Sequence, residues 1–201
     1  TYEAFVEQDP FHPKAPVLQM QVIEAYKEGG FPSLVLDGKK SFVDRYGMDG
    51  QFWVRNPREQ NEAVAGHLKA NLNDLAQYYH AEAQKSGAKN DYREAADLYR
   101  KYMAYFPGET DTANTNFLLA EILFESEDYA AATSEYERTS YAYPFHEKSA
   151  EAGYAALLAY REHEQALPAG SARDEWHQSY LDSGLKFADT YPEHPESGAV
   201  L

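Results

Sequence analysis

Seven histidines and 33 carboxylates are the groups in this 201-residue chain with the most capacity for chemistry. His12, His146 and His194 each stand two residues after a proline, at Pro10, Pro144 and Pro192. Two readings fit that spacing: a repeated ligand or partner contact, or a turn residue that caps the next helix or packs on the loop. His163-Glu164 lacks the second histidine of an H-E-x-x-H zinc helix. His80 and Glu82, two apart on a helix, do not face one another. Glu121 and Glu125 lie four apart on one helical face, where one carboxylate raises the pKa of the other if an opposing element desolvates both. Without such an element they form a solvated or partner-facing pair. The polar stretch from Glu109 to Asn116 lacks the ligand and glycine spacing of a calcium hand. The chain has no nucleophile elbow, phosphate-cradling loop or dinucleotide fingerprint, and Ser171 and Ser183 carry no signature around them. These residues predict no enzyme, no cofactor and no metal site.

The totals narrow the class further. A formal net charge of −15 argues against a nucleic-acid groove, which needs clustered Lys and Arg, and steers basic partners instead. The chain has no cysteine, which removes disulfides, thiolate metal sites and cysteine nucleophiles. It has no apolar run long enough for direct membrane insertion. Thr1-Tyr2-Glu3-Ala4-Phe5 has neither the basic nor the apolar region of a signal peptide. With 17 Tyr and 10 Phe, the chain carries ample aromatic surface for a core.

The elements that position these groups are helical, because apolar residues recur at helical spacing almost throughout. Turns are predicted at Asp9-Pro10, Gly29-Gly30, Tyr46-Gly47, Pro107-Gly108, Glu127-Asp128, Pro144 and Pro192. The chain also resembles itself. Tyr2-Glu3, Pro10-Phe11-His12, Lys14 and Ala25-Tyr26 return at one constant offset as Tyr136-Glu137, Pro144-Phe145-His146, Lys148 and Ala159-Tyr160. Each copy spans the junction between the second helix of one unit and the first helix of the next. Repetition of this kind implies short units that bury their apolar faces only by stacking on their neighbours. The histidine copies, one or more units apart, would then not converge on one ion.

The clearest unit has Leu119-Ala120 and Leu123 on a first helix. Its second helix carries Tyr129, Ala132, Tyr136 and Thr139 and ends before Pro144. Small Ala120 and Ala132 let the two helices approach closely. This pattern resembles the tetratricopeptide repeat, a helix-turn-helix of 34 residues. The preceding unit matches with Leu72, Leu75-Ala76, Tyr79, Tyr92, Ala95, Tyr99 and Pro107, and carries about seven extra residues between Tyr79 and Tyr92 that read as two helical turns. The resemblance extends loosely to flanking units at 14–46 and 147–192. In the latter, Leu157 replaces the family's small residue and the linker Leu167-Pro168-Ala169-Gly170 adds roughly eleven residues. Together the units read as one repeat array: 1–10 as the end of a preceding repeat, 14–46, 58–107, 111–144 and 147–192 as repeats, and 195–201 as the start of a following one. That makes the chain a segment of a longer array, stacked on other repeats of the same parent chain, with Val200-Leu201 opening a further helix.

The resemblance implies an all-α fold of antiparallel helix pairs stacked in a right-handed superhelix. It implies a non-catalytic protein–protein interaction scaffold whose partner lies in a concave groove lined by the first helices. On that face it places Asn73, Gln77 and His80, then Asn114, Phe117, Glu121 and Phe124, then Tyr154, Leu158 and Arg161. One subgroup of the family grips peptide carboxylates there with Lys, Arg and Asn. The present set, with Glu121 and few cations, suits a basic or an extended apolar segment better. Phe117 and Phe124 have a second reading, as packing between neighbouring helices. The closing pairs Phe106-Pro107, Tyr143-Pro144 and Tyr191-Pro192 resemble a bacterial cell-envelope subgroup, which implies a periplasmic or envelope location, with the cytoplasm as the alternative. An envelope enzyme or its accessory, using Glu121 and Glu125, and a self-assembling repeat module are the rival functions.

Overall fold

A computed structural model describes residues 1–199; the helix predicted to open at Val200-Leu201 lies outside the described residues. The described chain is all-helical. Its helices are α1 (Tyr2–Gln8), α2 (Ala15–Glu28), α3 (Pro32–Tyr46), α4 (Gln51–Arg55), α5 (Glu62–Ser86), α6 (Lys89–Tyr105), α7 (Thr112–Glu125), α8 (Tyr129–Tyr141), α9 (Ser149–Ala166) and α10 (Ser171–Thr190). A single 3₁₀ turn, Arg58–Gln60, precedes α5. Every turn predicted from the sequence falls at or just beyond a helix end. The extra residues between Tyr79 and Tyr92 are largely helical, since α5 runs on to Ser86 and stops where Gly87 takes a left-handed φ of 66°.

Packing is mainly between chain neighbours: α1 on α2, α2 on α3, α3 on α5, and from there each helix on the next to α10. The core alternates small and large side chains. Ala76, Ala95, Ala120 and Ala132 are fully buried, beside Leu72, Leu119, Tyr99, Tyr102 and Tyr136. The alanines let helix axes approach, and the tyrosines fill the space that remains. Burying a leucine such as Leu72 or Leu119 contributes about 1.5–3 kcal/mol. One cluster runs from Ile23 to Ala159; a smaller one, Leu157 with Phe187 and Tyr191, holds α9 to α10.

The sequence pattern did not predict α4. It plugs the link between α3 and α5 with Phe52, which is fully buried against Tyr46 at a ring separation of 5.3 Å. The Trp53 indole donates to the Tyr46 carbonyl (2.8 Å), and Asn56 Nδ2 donates to the carbonyls of Phe52 (3.0 Å) and Phe11 (3.1 Å).

Two helix ends share one turn geometry. At the end of α2, Gly30 is left-handed (φ 74°), its N–H reaches the Lys27 carbonyl (3.1 Å) and the Phe31 N–H reaches Tyr26 (2.9 Å). At the end of α7 the same Schellman pattern recurs. Glu127 N–H bonds to Phe124 (3.0 Å) and Asp128 N–H to Leu123 (2.9 Å), but a glutamate holds the left-handed position at φ 66°.

Candidate functional site

On α5, Asn73 and Gln77 lie at the surface, joined by a 3.3 Å bond from Gln77 Nε2 to Asn73 Oδ1. His80, only 8% exposed, turns inward. Its Nδ1 is 3.2 Å from the Tyr99 hydroxyl on α6, and its Nε2 is 3.6 Å from Glu125 Oε2 on α7. Gln84 Nε2 donates to the other oxygen of Glu125 at 2.8 Å. Burial lowers the His80 pKa, against the opposing pull of Glu125 and Glu121, so the ring is held neutral. A neutral ring suits both partners: Tyr99 donates to Nδ1 and Nε2–H points at the carboxylate. Burial, aided by the Glu125 charge, pushes Tyr99 itself up to about 12, so its hydroxyl keeps its proton.

The α7 residues are committed to α8. Phe117 is 6% exposed, with its ring 5.8 Å from that of Tyr136 and the Lys148 ammonium 5.1 Å from its face. Glu121 accepts the Tyr136 hydroxyl, whose pKa rises through burial and then through that bond. Phe124 packs at 5.2 Å on Tyr129 and 6.4 Å on Tyr136. Phe117 and Phe124 thus hold a helix pair together, the packing alternative of the sequence reading. Asn114 remains exposed. On α9, Tyr154 packs on Phe187 (6.1 Å) and His194 (5.6 Å), Leu158 is half-buried, and exposed Arg161 bonds to neighbouring Glu162 at 3.3 Å. Of the residues predicted to line the groove, Asn73, Gln77, Asn114 and Arg161 therefore lie at the surface, while His80, Phe117, Glu121, Phe124 and Tyr154 are engaged with neighbouring helices.

The proline-linked histidines build turns. In each of His12, His146 and His194, Nδ1 accepts the backbone N–H two residues on, at 3.1, 3.2 and 3.3 Å. The carbonyl of each also accepts the N–H three residues on, at 2.9, 3.0 and 3.0 Å. Among the described residues, no group of three His, Asp or Glu side chains is arranged to hold a metal ion, and no helix is long and apolar enough to cross a membrane.

The feature that residue patterns missed is a cleft of about 700 Å³ between α3 and α5. Phe31, Val35 and Leu36 line one wall, Leu75 and Tyr78 the other. Phe31 is 55% and Tyr78 43% exposed, large apolar surfaces left facing solvent. The Schellman turn at Gly30 delivers Phe31 to this position. Its ring lies over Gly29 so closely that a Cβ there would sit 2.7 Å from Phe31 Cε2. Lys39 on α3 pairs with Asp74 on α5 at the cleft's edge and ties the two walls together. The sequence signal was the aromatic placed directly after a Gly-Gly helix end, which reads as turn chemistry alone. No protein-family model matches this chain, and no curated protein matches it either.

Proposed function

We propose that this chain is a non-catalytic scaffold of tetratricopeptide-like helix pairs that receives an extended apolar segment of a partner protein in the α3–α5 cleft. The observation that carries this reading is the cleft itself, concave and mostly apolar, with Phe31 and Tyr78 exposed along its walls. Of the two partner chemistries expected, the extended apolar segment suits it better than a basic one, since its walls are apolar and the Asp74 carboxylate in its lining is already paired with Lys39. The overall charge of −15 still favours basic flanks on such a segment during approach.

Neighbour-on-neighbour packing and the three matching histidine turns support stacking of the pairs into a right-handed superhelix. The periplasmic or envelope location is part of the same reading and rests on the aromatic-Pro closings. The non-catalytic part is supported by the state of the candidate carboxylates. Glu121 is held by Tyr136 and Glu125 by Gln84 and His80, so both serve helix packing.

Display selection of random 12-residue peptides on the chain tests the proposal. The expected result is enrichment of sequences with two or more large apolar residues, lost when Phe31→Asp and Tyr78→Asp are combined. Enrichment that ignores those changes would remove the cleft from the function.

A further inference from the structure

The two copies of the junction differ in how the space enclosed by three consecutive helices is filled. Among α8, α9 and α10 it is closed. Glu137 accepts the Ser183 hydroxyl at 2.6 Å, and Ser140 pairs with the Tyr191 hydroxyl at 2.9 Å. Fully buried Phe187 lies so near Gly153 that a Cβ there would sit 2.9 Å from its Cδ2. At the constant sequence offset, Glu3, Val6 and Gln19 stand in the places of Glu137, Ser140 and Gly153. There α3 turns Gly38 and Ser41 to the space instead of a ring, and a cavity of about 150 Å³ remains between α1, α2 and α3. Its α1 wall faces α2 and α3, as Glu137 and Ser140 face α9 and α10, so the cavity does not depend on what stands before α1.

One buried side chain in the lining is left incomplete. Gln19 is 6% exposed, and its Nε2 donates to the Gly38 carbonyl at 3.2 Å. That bond sets the orientation of the amide, and Oε1 is left as a buried acceptor with no partner among the described residues. Glu3 and Glu7 line the same cavity from the exposed side, against Arg45 as the one cation of the lining, so a single negative charge is in excess.

We infer that this cavity receives the side chain of one arginine from a partner segment, with Gln19 Oε1 accepting a guanidinium N–H, Glu3 and Glu7 flanking the charge, and Val6, Val22 and Ile23 covering the stem. The volume suits one side chain and no larger ligand. The open acceptors belong to three helices, Glu3 and Glu7 on α1, Gln19 on α2 and Ser41 on α3, and a guanidinium offers N–H donors in several directions at once. A lysine ammonium is more strongly hydrated and gives up more on entering a half-closed site. The overall charge of −15 steers such a side chain inwards. The cavity shares no residue with the α3–α5 cleft, and failure of either reading leaves the other standing.

Titration of the chain with N-acetylarginine methylamide, followed by the backbone amide shifts of Gln19, Gly38 and Ser41, tests the inference. Saturable shifts are expected at these three residues. The uncharged citrulline counterpart should bind at least ten-fold more weakly and the lysine counterpart at least three-fold more weakly. Gln19→Leu keeps the bulk, removes the acceptor and should weaken binding at least ten-fold. Glu7→Gln, at an exposed position, should weaken it at least three-fold and keeps the test decisive if Gln19→Leu lowers the thermal midpoint. Absence of saturable shifts, as from a cavity that holds water only, overturns the inference. So does equal affinity for either counterpart, or binding unchanged by Glu7→Gln.

Discussion

The hydroxyl of Tyr160 reaches the carboxylate of Glu137 at 3.4 Å across the α8–α9 junction, 23 residues back in the chain, and Tyr26 makes the same bond over the same span to Glu3. The self-similarity of the sequence is therefore carried into side-chain geometry. The two bonds sit in different surroundings. Tyr160 is buried and burial is the main cause raising its pKa to about 12, while the Tyr26–Glu3 pair is exposed. Tyr160→Phe should cost about 0.5–1.5 kcal/mol in urea unfolding. Glu137 would keep the 2.6 Å bond from Ser183 and so not be orphaned. Tyr26→Phe should leave the midpoint unchanged. Equal losses at both sites would show that burial does not set the value of this contact.

Much of the fold was legible because its signals are local. Gly29-Gly30 and Pro144 stop helices through backbone restrictions alone, and Ala120 and Ala132 mark close approach through size. The site was less legible because its determinants lie across helices. Nothing in the spacing around His80 indicates Glu125, which reaches it from α7. Glu121 reads as a free carboxylate until Tyr136 is seen to donate to it. The cleft needed both the Schellman geometry at Gly30 and the position of α5 opposite α3. Val35, Leu36 and Lys39 share one face of α3, and Leu75 and Tyr78 one face of α5, but the sequence does not say that the two faces meet.

Glu127 offers a direct gain in stability. It holds the left-handed turn position that Gly30 holds at the end of α2, and a non-glycine residue there is strained by about 1–2 kcal/mol. Glycine relieves the strain but loosens the unfolded chain, so Glu127→Gly should stabilise by about 0.5–1 kcal/mol. A lower urea midpoint in the variant would contradict the turn assignment.

Acid should weaken the α5–α6–α7 contact through His80. The groups facing it are Tyr99 from α6, Glu125 and Glu121 from α7, and Gln84 from its own helix. Burial holds its folded pKa below the ordinary 6.5, so the unfolded chain takes up the proton first. Stability is complete above pH 6.5 and falls as the pH drops from there through the folded value, by at most about 1.4 kcal/mol per pH unit. Urea midpoints at pH 7.5 and 5.5 should fall further for the native chain than for His80→Gln. The paired comparison cancels the general effect of titrating an acidic surface. Identical shifts in the two proteins would take His80 out of the pH response.

The central claim, that the α3–α5 cleft receives an apolar segment, is tested most directly by one ratio of dissociation constants. A selected apolar peptide is titrated against the native chain and against Phe31→Asp, with thermal midpoints measured on both. Phe31 is exposed at the N-cap of α3, where aspartate is a favoured residue, so the midpoint should not fall. A charged carboxylate in the apolar wall should weaken binding at least ten-fold. Equal affinity for the two proteins, with the variant's midpoint no lower than the native one, would contradict a binding role for the cleft.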